Sequence, residues 1–375
     1  MNWKVIEKTG QPGALIRVVG VGGCGGNAID HMVKGGLDGV ETIAINTDSQ
    51  ALGISQADVK HTLGELTNSG QGAGAKPEVG RDTALDDYER LETLLEGSDM
   101  VFIAAGMGGG TGTGASPIVA QVAKSIGALT VAVVTKPLSL ERKDKLAEEG
   151  IKALRSEVDS LITIPNQKLS EVHGGDCDFI EAFAHGNDVL LGAVRGISDI
   201  ITKVGTINVD FQDVKTVMSE QGTAMMGTGI ASGPSRAVEA ASAAVGSPLL
   251  EDINLQNARG VLVNITGGEK VSIGEIEKVL EQIDQFAAED AMIIHGVAID
   301  DSMEPGDLKV TIVATGLGDS IQKNGTSPDP FGLKVPHVSS INTVKPISDV
   351  QDVERDLSLD YFCLLYTSPS PRDAT

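Results

Sequence analysis

The first half of the chain alternates short apolar runs with helical patterns. The apolar runs occupy residues 15–21, 42–45, 100–105, 129–134 and 161–164, and the helical patterns lie near 27–34, 114–125 and 141–155. Strands that alternate with helices in this way form a parallel sheet with helices on both faces. Ligands of such sheets bind at the carboxyl ends of the strands. The sequence therefore predicts an α/β, Rossmann-like N-terminal domain whose functional residues follow its strands.

The second half begins with a longer helical pattern, over 179–204, and then mixes helices and strands in a different order. Helices are predicted over 236–244 and 273–286, and strands over 261–265, 292–297 and 308–314. We interpret this part as a smaller α/β domain that the long central helix joins to the first. After residue 318 the chain is rich in Ser, Pro, Asp, Lys and Asn with little periodicity. This composition predicts a disordered linker, because too little apolar surface is available for burial.

These patterns predict six segments. The boundaries are 1–13 for a disordered N-terminal arm, 14–177 for the first domain, 178–205 for the central helix, 206–318 for the second domain, 319–362 for the linker and 363–375 for a terminal tail. The tail reads CLLYTSPSPRD from Cys363 onward, which resembles a translated sequencing adaptor. We therefore expect the tail to be non-native.

Charge and composition exclude some classes of function. The formal net charge is -23, so a protein whose main task is holding nucleic acid is not expected, because phosphate backbones would be repelled. The apolar runs are too short to span a bilayer, so membrane insertion is not expected. The three cysteines, Cys24, Cys177 and Cys363, form neither a disulfide framework nor a zinc motif. Together with the lack of a secretion signal, this predicts a cytoplasmic protein.

The first glycine loop, residues 20–28, reads GVGGCGGNA between the first predicted strand and a helix. Glycines there permit positive φ and let backbone N–H groups approach an anion, which a helix N-terminus also favours. Two alternatives remain open for this loop alone. Gly20, Gly22 and Gly25 match the G-x-G-x-x-G fingerprint of NAD-dependent oxidoreductases, and Asp48 would then be the ribose-binding acid. A tight turn without a ligand also fits.

The second glycine loop, residues 108–114, reads GGGTGTG and again lies between an apolar strand and a helix. Backbone with so few side chains, interleaved with two hydroxyl groups, forms a nest of donors for phosphate oxygens. An oxidoreductase does not require this second loop. Neither loop carries the lysine and following hydroxyl of a P-loop. Phosphates would therefore be held by backbone amides, by two helix N-termini and by a Mg²⁺ ion.

The GGGTGTG motif resembles the signature of the tubulin/FtsZ family, and residues 20–28 resemble that family's first phosphate loop. The similarity continues in register through NTD at 46–48, GAGA at 72–75, IPN at 164–166 and NVDFQD at 208–213. It covers about 14–318. The stretches TVMS at 216–219 and SPLLE at 247–251 resemble the FtsZ branch rather than the tubulins.

The resemblance implies a tubulin/FtsZ-like fold and a self-assembling GTPase that binds GTP and GDP with Mg²⁺. It implies head-to-tail filaments of the bacterial division ring at mid-cell, with GTP hydrolysis at the subunit interfaces driving filament turnover. The family's C-terminal peptide binds membrane-linked adaptor proteins, but only LDYF at 359–362 resembles it, so the peptide is expected to be missing here. A nucleotide-binding structural protein without hydrolysis is the alternative.

The resemblance also assigns nucleotide contacts. In the two glycine loops they are Gly22, Gly23, Cys24, Gly25, Gly26, Asn27, Gly109, Gly110, Thr111, Gly112, Thr113 and Gly114. Further along the chain they are Glu141, Lys145, Asn166, Phe183 and Asn187. Phe183 would stack on the base and Asn187 would read its edge, although Phe183 taken alone would be an ordinary core aromatic.

The sequence departs from the family pattern at two positions that carry cations. The segment 136–145 looks two residues short, so Arg142 and Lys143 compete with Lys145 for the phosphate or ribose contact. Lys76 stands where the family usually has asparagine.

The acidic loop, residues 208–213, contains Asn208, Asp210 and Asp213 in an N-x-D-x-x-D pattern. Two carboxylates at this spacing could polarise a water molecule or bind a cation. From spacing alone, Asp213 would be a helix N-cap and Asp210 a solvated loop residue. The resemblance implies instead that this loop enters the nucleotide pocket of the next subunit, where its acids orient the attacking water.

Overall fold

A mixed sheet of ten strands organises the described part of the chain, in the order β3-β2-β1-β4-β5-β6-β7-β10-β8-β9. The structure is a computed structural model that describes residues 13–65, 70–172, 179–203, 209–220, 222–250, 258–268, 270–288, 290–300 and 303–317. The strands are β1 Ile16–Val21, β2 Glu41–Asn46, β3 Val59–Thr62, β4 Met100–Gly106, β5 Leu129–Lys136, β6 Ser160–Pro165, β7 Thr223–Ser232, β8 Gly260–Gly267, β9 Met292–Ile299 and β10 Asp307–Leu317. The predicted arm, linker and tail lie almost wholly outside the described residues.

The helices are α1 Gly22–Lys34, α2 Ser49–Ile54, α3 Pro77–Asp86, α4 Tyr88–Leu95, α5 Thr111–Ser125, α6 Asp144–Arg155, α7 Asn166–Val172, α8 Phe179–Thr202, α9 Phe211–Met218, α10 Arg236–Val245 and α11 Ile273–Asp284. A short 3-10 turn covers Ser139–Glu141. None of the helices in the described ranges combines the length and the apolar character needed to cross a membrane.

The strands from β1 to β7 all run parallel to one another. The order β3-β2-β1-β4-β5-β6 reverses direction between β1 and β4, which is the topological switch point of a doubly wound sheet. This confirms the predicted α/β, Rossmann-like first part. It also places the carboxyl ends of β1 and β4, where the two glycine loops begin, side by side.

Alternate residues of the parallel strands enter two different cores. In β4, Met100, Phe102 and Ala104 pack with α1 and α8 on one face. The residues between them, including Val101 and Ile103, pack with α3 to α6 on the other face. Because helices cover both faces, these strands are apolar at nearly every position. This explains why short continuous apolar runs predicted them.

The remaining strands form a sheet region of mixed direction. β10 is antiparallel to both β7 and β8, and β8 is parallel to β9. The helices α10 and α11 pack on this region and share a separate core cluster with it. The central helix α8 contributes Leu190, Ala193 and Val194 to the core of the first part. The exact boundaries between the predicted domains stay a prediction.

Two helices begin earlier than the sequence indicates. α1 begins at Gly22 and α5 at Thr111, although their patterns predicted starts near 27 and 114. Glycine has a low helix propensity, which hides the first turn of each helix from a pattern search. Much of each glycine loop is therefore the first turn of a helix.

The pair Arg236–Glu275 joins α10 to α11 and gives a pH-dependent prediction. The Arg236 Nε donates to Glu275 Oε1 at 2.6 Å, and the backbone N–H and hydroxyl of Ser272 donate to Glu275 Oε2. The Arg236 hydrogen bond is the main cause that lowers the pKa of Glu275 to about 2 from its ordinary value of 4.5. A carboxylate with a lowered pKa stabilises the fold above the unfolded-state value and loses that effect as pH falls toward the folded-state value.

The stability advantage of the wild type over Glu275→Gln should therefore be constant above about pH 5 and shrink between about pH 5 and pH 2. Urea unfolding of both proteins across this range measures it. Glu277→Gln, on the exposed side of the same helix, is the matched control, because it removes one carboxylate from α11 and leaves the Arg236–Glu275 pair intact. A pH-independent difference for Glu275→Gln would contradict the prediction.

Candidate functional site

The two glycine loops meet backbone to backbone at the switch point. Gly22 follows β1 directly and has a φ of +76°, a left-handed conformation that favours glycine. A Cβ atom on Gly22 would lie 2.8 Å from the backbone nitrogen of Gly112. Only a hydrogen atom fits in this contact. The two loops therefore form one site rather than two.

The first turns of α1 and α5 supply free N–H groups to this site. Neither helix has a side-chain hydrogen bond at its N-cap. The first amides of a helix lack intrahelical partners and favour anions. Gly23 and Gly109 line the cleft between the loops, and a Cβ on either would meet no atom within 4 Å. The geometry of the cleft therefore suits an anion that main-chain groups hold.

Other glycines of the loops serve close packing. A Cβ on Gly25 would lie 2.4 Å from the carbonyl oxygen of Ala104, and one on Gly114 would lie 1.9 Å from that of Pro77. Gly25 thus lets α1 approach β4, and Gly114 lets α5 approach the start of α3.

The hydroxyl groups of the second glycine loop bind the protein itself. Thr113 Oγ1 accepts from the Gly108 backbone N–H at 2.8 Å, and Thr111 Oγ1 lies 2.6 Å from Thr47 Oγ1. Both threonines are buried. In this structure the two hydroxyl groups fix the shape of the loop.

The cleft brings together nine of the residues predicted from the sequence. They are Gly23, Cys24, Gly109, Gly110, Thr111, Gly112, Glu141, Asn166 and Phe183. The lining also includes Lys136 and Pro137 of the segment 136–145, and Thr135, which the sequence analysis missed. Thr135 lies near the carboxyl end of β5, so the rule that ligands bind at strand ends could have found it.

Cys24 places a neutral side chain in the cleft between the two glycine loops. Its Sγ lies 3.6 Å from Thr135 Oγ1. Burial raises the pKa of the Cys24 thiol above its ordinary value, with a smaller opposing effect from the Thr135 hydrogen bond. The thiol is therefore uncharged near neutral pH and adds no repulsion toward a polyphosphate.

Of the three competing cations, Lys143 lines the cleft, and its Nζ lies 3.2 Å from Glu141 Oε2. Glu141 Oε1 also accepts from the Leu138 backbone N–H at 3.1 Å. Arg142 and Lys145 are exposed and are not part of the lining.

Asn166 presents an unpaired acceptor in the cleft. It starts α7 directly after β6 and is 5% exposed, and its Oδ1 has no hydrogen-bond partner among the described residues. A Cβ on Gly186 of α8 would lie 2.9 Å from this Oδ1, so α8 passes close to it. Buried polar atoms normally have a hydrogen-bond partner, so the unpaired Asn166 Oδ1 indicates that a bound ligand donates to it. Phe183 lines the cleft from the same helix, and half-buried Asn187 lies one turn further along α8.

The described acids of the acidic loop lie outside the cleft lining of their own chain. Asp210, and not Asp213, is the N-cap of α9, because its Oδ1 accepts from the Asp213 backbone N–H at 2.9 Å. The prediction from spacing alone, with Asp213 as the cap, was wrong. Both side chains are exposed, and Asn208 lies outside the described residues.

Asp48, the ribose-binding acid of the oxidoreductase alternative, has a structural role here. Its Oδ1 accepts from the backbone N–H groups of Gln50 at 2.9 Å and of Ala51 at 3.2 Å. Asp48 is thus the N-cap of α2, a role that accounts for this residue without a ribose. The fold and the site together define a nucleotide-binding protein whose two glycine loops lack the lysine of a P-loop.

Comparisons with known proteins identify the family. The model of the tubulin/FtsZ family GTPase domain matches residues 15–174, and that of the FtsZ family C-terminal domain matches 222–318. The cell division protein FtsZ of Pseudomonas aeruginosa is 59% identical over 312 residues, 83% of this chain and 79% of the relative. The Coxiella burnetii protein of the same name is 58% identical over 315 residues, 84% and 81% of the two chains.

A solved structure gives the same answer. The structure described as an empty FtsZ dimer of M. jannaschii aligns with a TM-score of 0.77 and 42% identity, over 82% of this chain and 89% of that one. The chain belongs to the FtsZ family.

Proposed function

We propose that this chain binds GTP in the cleft between the two glycine loops and hydrolyses it to GDP and phosphate. We further propose that it assembles head to tail into filaments of the bacterial division ring. The contact between Gly22 and Gly112 is the observation that carries the proposal, because it merges two helix N-termini into one polyphosphate site. Membership of a family whose N-terminal model is a GTPase domain supports the same activity.

The base is proposed to lie toward Asn166 and Phe183. The unpaired Asn166 Oδ1 accepts a donor from the guanine or the ribose, and the Phe183 ring stacks on the base. Asn187 then reads the base edge from the next turn of α8. Lys143 replaces Lys145 as the proposed cation of the segment 136–145, because it lines the cleft.

Mg²⁺ fits this site only in company with the nucleotide. The described residues contain no cluster of three acidic, histidine or cysteine side chains suited to a metal. Mg²⁺ prefers phosphate oxygens and water together with one or two carboxylates. When bound, it would neutralise charge that develops on the transferred phosphoryl group. Glu141 is the acid of this chain that lines the cleft.

Hydrolysis is proposed to need two subunits. Asp210 and Asp213 are exposed at the start of α9 and lie outside the lining of their own chain's cleft. A neighbour docked head to tail would bring these carboxylates, and Asn208, to the terminal phosphate, where they orient the attacking water. Positioning and electrostatics carry most phosphoryl-transfer catalysis, so a cleft without them is slow. Assembly and hydrolysis are thereby coupled.

In the cell, the filaments would work in the cytoplasm at mid-cell and attach to membrane-linked adaptor proteins. The adaptor-binding peptide would lie near residues 359–362, which are outside the described residues.

GTP turnover per subunit should rise steeply above a threshold protein concentration, because an active centre exists only where two subunits meet. Phosphate release measured over a dilution series, with light scattering recorded in parallel, tests this. The threshold in turnover should coincide with the onset of scattering. Turnover per subunit that stays constant through high dilution would contradict the two-subunit active centre.

A further inference from the structure

The cations that line the cleft are already paired with carboxylates. Lys143 Nζ lies 3.2 Å from Glu141, and Lys136 Nζ lies 2.6 Å from Glu148. A triphosphate carries more negative charge than a diphosphate, and the chain as a whole is strongly acidic. The described side chains that line the cleft therefore offer no unpaired cation that would favour the triphosphate.

Lys76 is a free cation next to the second glycine loop. A Cβ on Gly110 would lie 2.9 Å from the Lys76 backbone nitrogen and 2.9 Å from the Ala73 Cβ, so residues 73–76 pack directly on Gly110. Gly110 itself lines the cleft. The Lys76 side chain is exposed and has no hydrogen-bond or ion-pair partner among the described residues.

The sheet order places Lys76 at the end of the cleft opposite the proposed base. Asn166 follows β6, and Lys136 ends β5. Residues 70–76 lie on the other side of the switch point, where Gln71 bridges to Asp48 directly after β2. A nucleotide whose base lies near Asn166 and whose phosphates cross the glycine loops therefore ends beside Lys76.

Lys76 is also an unfavourable residue for its position at the start of α3. It is the N-cap of α3, makes no side-chain capping bond, and places a positive charge at the positive end of the helix. The preceding residue, Ala75, has a φ of +59°, which is uncommon for a residue other than glycine. Residues that break a local rule without structural gain are expected at functional sites.

We infer that Lys76 is a specificity residue that contacts the terminal phosphate and makes the cleft prefer GTP to GDP. The inference rests on the proposed function, since it takes the cleft to hold a guanine nucleotide. Its chemistry is that of a point charge on a flexible stem, the role that a P-loop lysine has in other nucleotide sites.

Titration of GTP and GDP into wild type and Lys76→Gln, well below the assembly threshold, tests the inference. We expect Lys76→Gln to weaken GTP binding about tenfold, as for a lost hydrogen bond to a charged group, and GDP binding less than about twofold. Lys76→Arg should retain most of the preference. Lys278→Gln, an exposed position on α11, removes the same charge and should change neither affinity.

Lys76→Asn adds a readout on stability. Asparagine is a favoured N-cap, so this variant should melt about 2 °C higher than wild type while losing the preference for GTP. A lower melting temperature would show that Lys76 serves the fold.

Three other outcomes would overturn the inference. The first is that Lys76→Gln weakens the binding of GTP and GDP equally. The second is that it weakens the binding of neither nucleotide and leaves assembly unchanged. The third is that both affinities are unchanged but the assembly threshold rises, which would place Lys76 at a subunit contact. If the wild type bound neither GTP nor GDP, the proposed function itself would fail, and the two failures are thus distinguishable.

Discussion

Asp213→Ala should lower GTP turnover by about 100- to 10,000-fold at protein concentrations where the wild type is assembled, and should leave GTP affinity unchanged. The side chain is exposed and lies outside its own chain's cleft, so its removal does not disturb binding there. The α9 cap is provided by Asp210, so the fold should also persist. Phosphate release at saturating GTP and nucleotide titration below the assembly threshold measure the two quantities.

Asp284→Ala is the matched control, because it removes an exposed carboxylate from α11 with the same change in charge. Asp210 is tested better as Asp210→Asn, which keeps an N-cap side chain, since alanine there would cost about 0.5–2 kcal/mol of capping. Wild-type turnover by Asp213→Ala at high concentration would refute the catalytic assignment.

Mixing two variants with opposite defects tests whether the acids come from a neighbouring subunit. Gly109→Val should fill the cleft without disturbing the fold, because a Cβ there meets no atom within 4 Å. A Gly109→Val subunit keeps its acids but lacks a usable cleft, and an Asp213→Ala subunit has the opposite defect. A mixture of the two should turn over GTP faster than either alone. No gain on mixing would argue against acids supplied by a neighbour.

Gly22→Val should reduce nucleotide affinity by more than about 100-fold and destabilise the fold by about 2–4 kcal/mol. The Cβ would lie 2.8 Å from the Gly112 nitrogen, and a β-branched residue is strained at a φ of +76°. The clash and the backbone strain would both push the two glycine loops apart, and the proposed site depends on the contact between these loops. Urea unfolding and GTP titration measure them.

Gly53→Ala is the control for Gly22→Val. Gly53 lies in α2, and a Cβ there meets no atom within 4 Å. This variant should bind GTP normally and be as stable as the wild type or slightly more stable. A Gly22→Val protein that binds GTP as the wild type does would show that the loops need not touch.

The sequence was sufficient for the elements that are buried on both faces. The strands β1, β4 and β5 are continuous apolar runs because helices cover the sheet on both sides, and each was predicted within about two residues of its observed bounds. These signals are local, so a single sequence carries them.

The elements that escaped prediction depend on contacts between distant residues. β7 contains Gly227 and Gly229, which suggest a turn when only the sequence is considered. In the structure a Cβ on either would lie 2.0–2.1 Å from a carbonyl oxygen of α10, so these glycines permit close helix packing within a strand. β3 is short and only half-buried, which leaves little pattern to detect.

The candidate site also has features that were predicted and features that only the structure shows. The glycine loops were predicted from their residues, and Asn166 and Phe183 from the resemblance to the family. The structure places all of them around one cleft. The sequence could not show that Thr111 and Thr113 bind other parts of the protein, or that Lys143 lies nearer the cleft than Lys145. Those facts depend on side-chain positions that no spacing rule determines.

The main-chain character of the proposed phosphate site reverses the usual logic of mutational scanning within the two glycine loops. Where phosphates are held by backbone amides, truncating the side chains of these loops deletes little that touches the ligand, and an alanine scan of the loops returns few hits. Harm comes instead from added atoms, because a single methyl group at Gly23 or Gly109 occupies space meant for the ligand. A scan that enlarges residues one carbon at a time would therefore map this cleft, and natural variation there should be limited by volume rather than by charge.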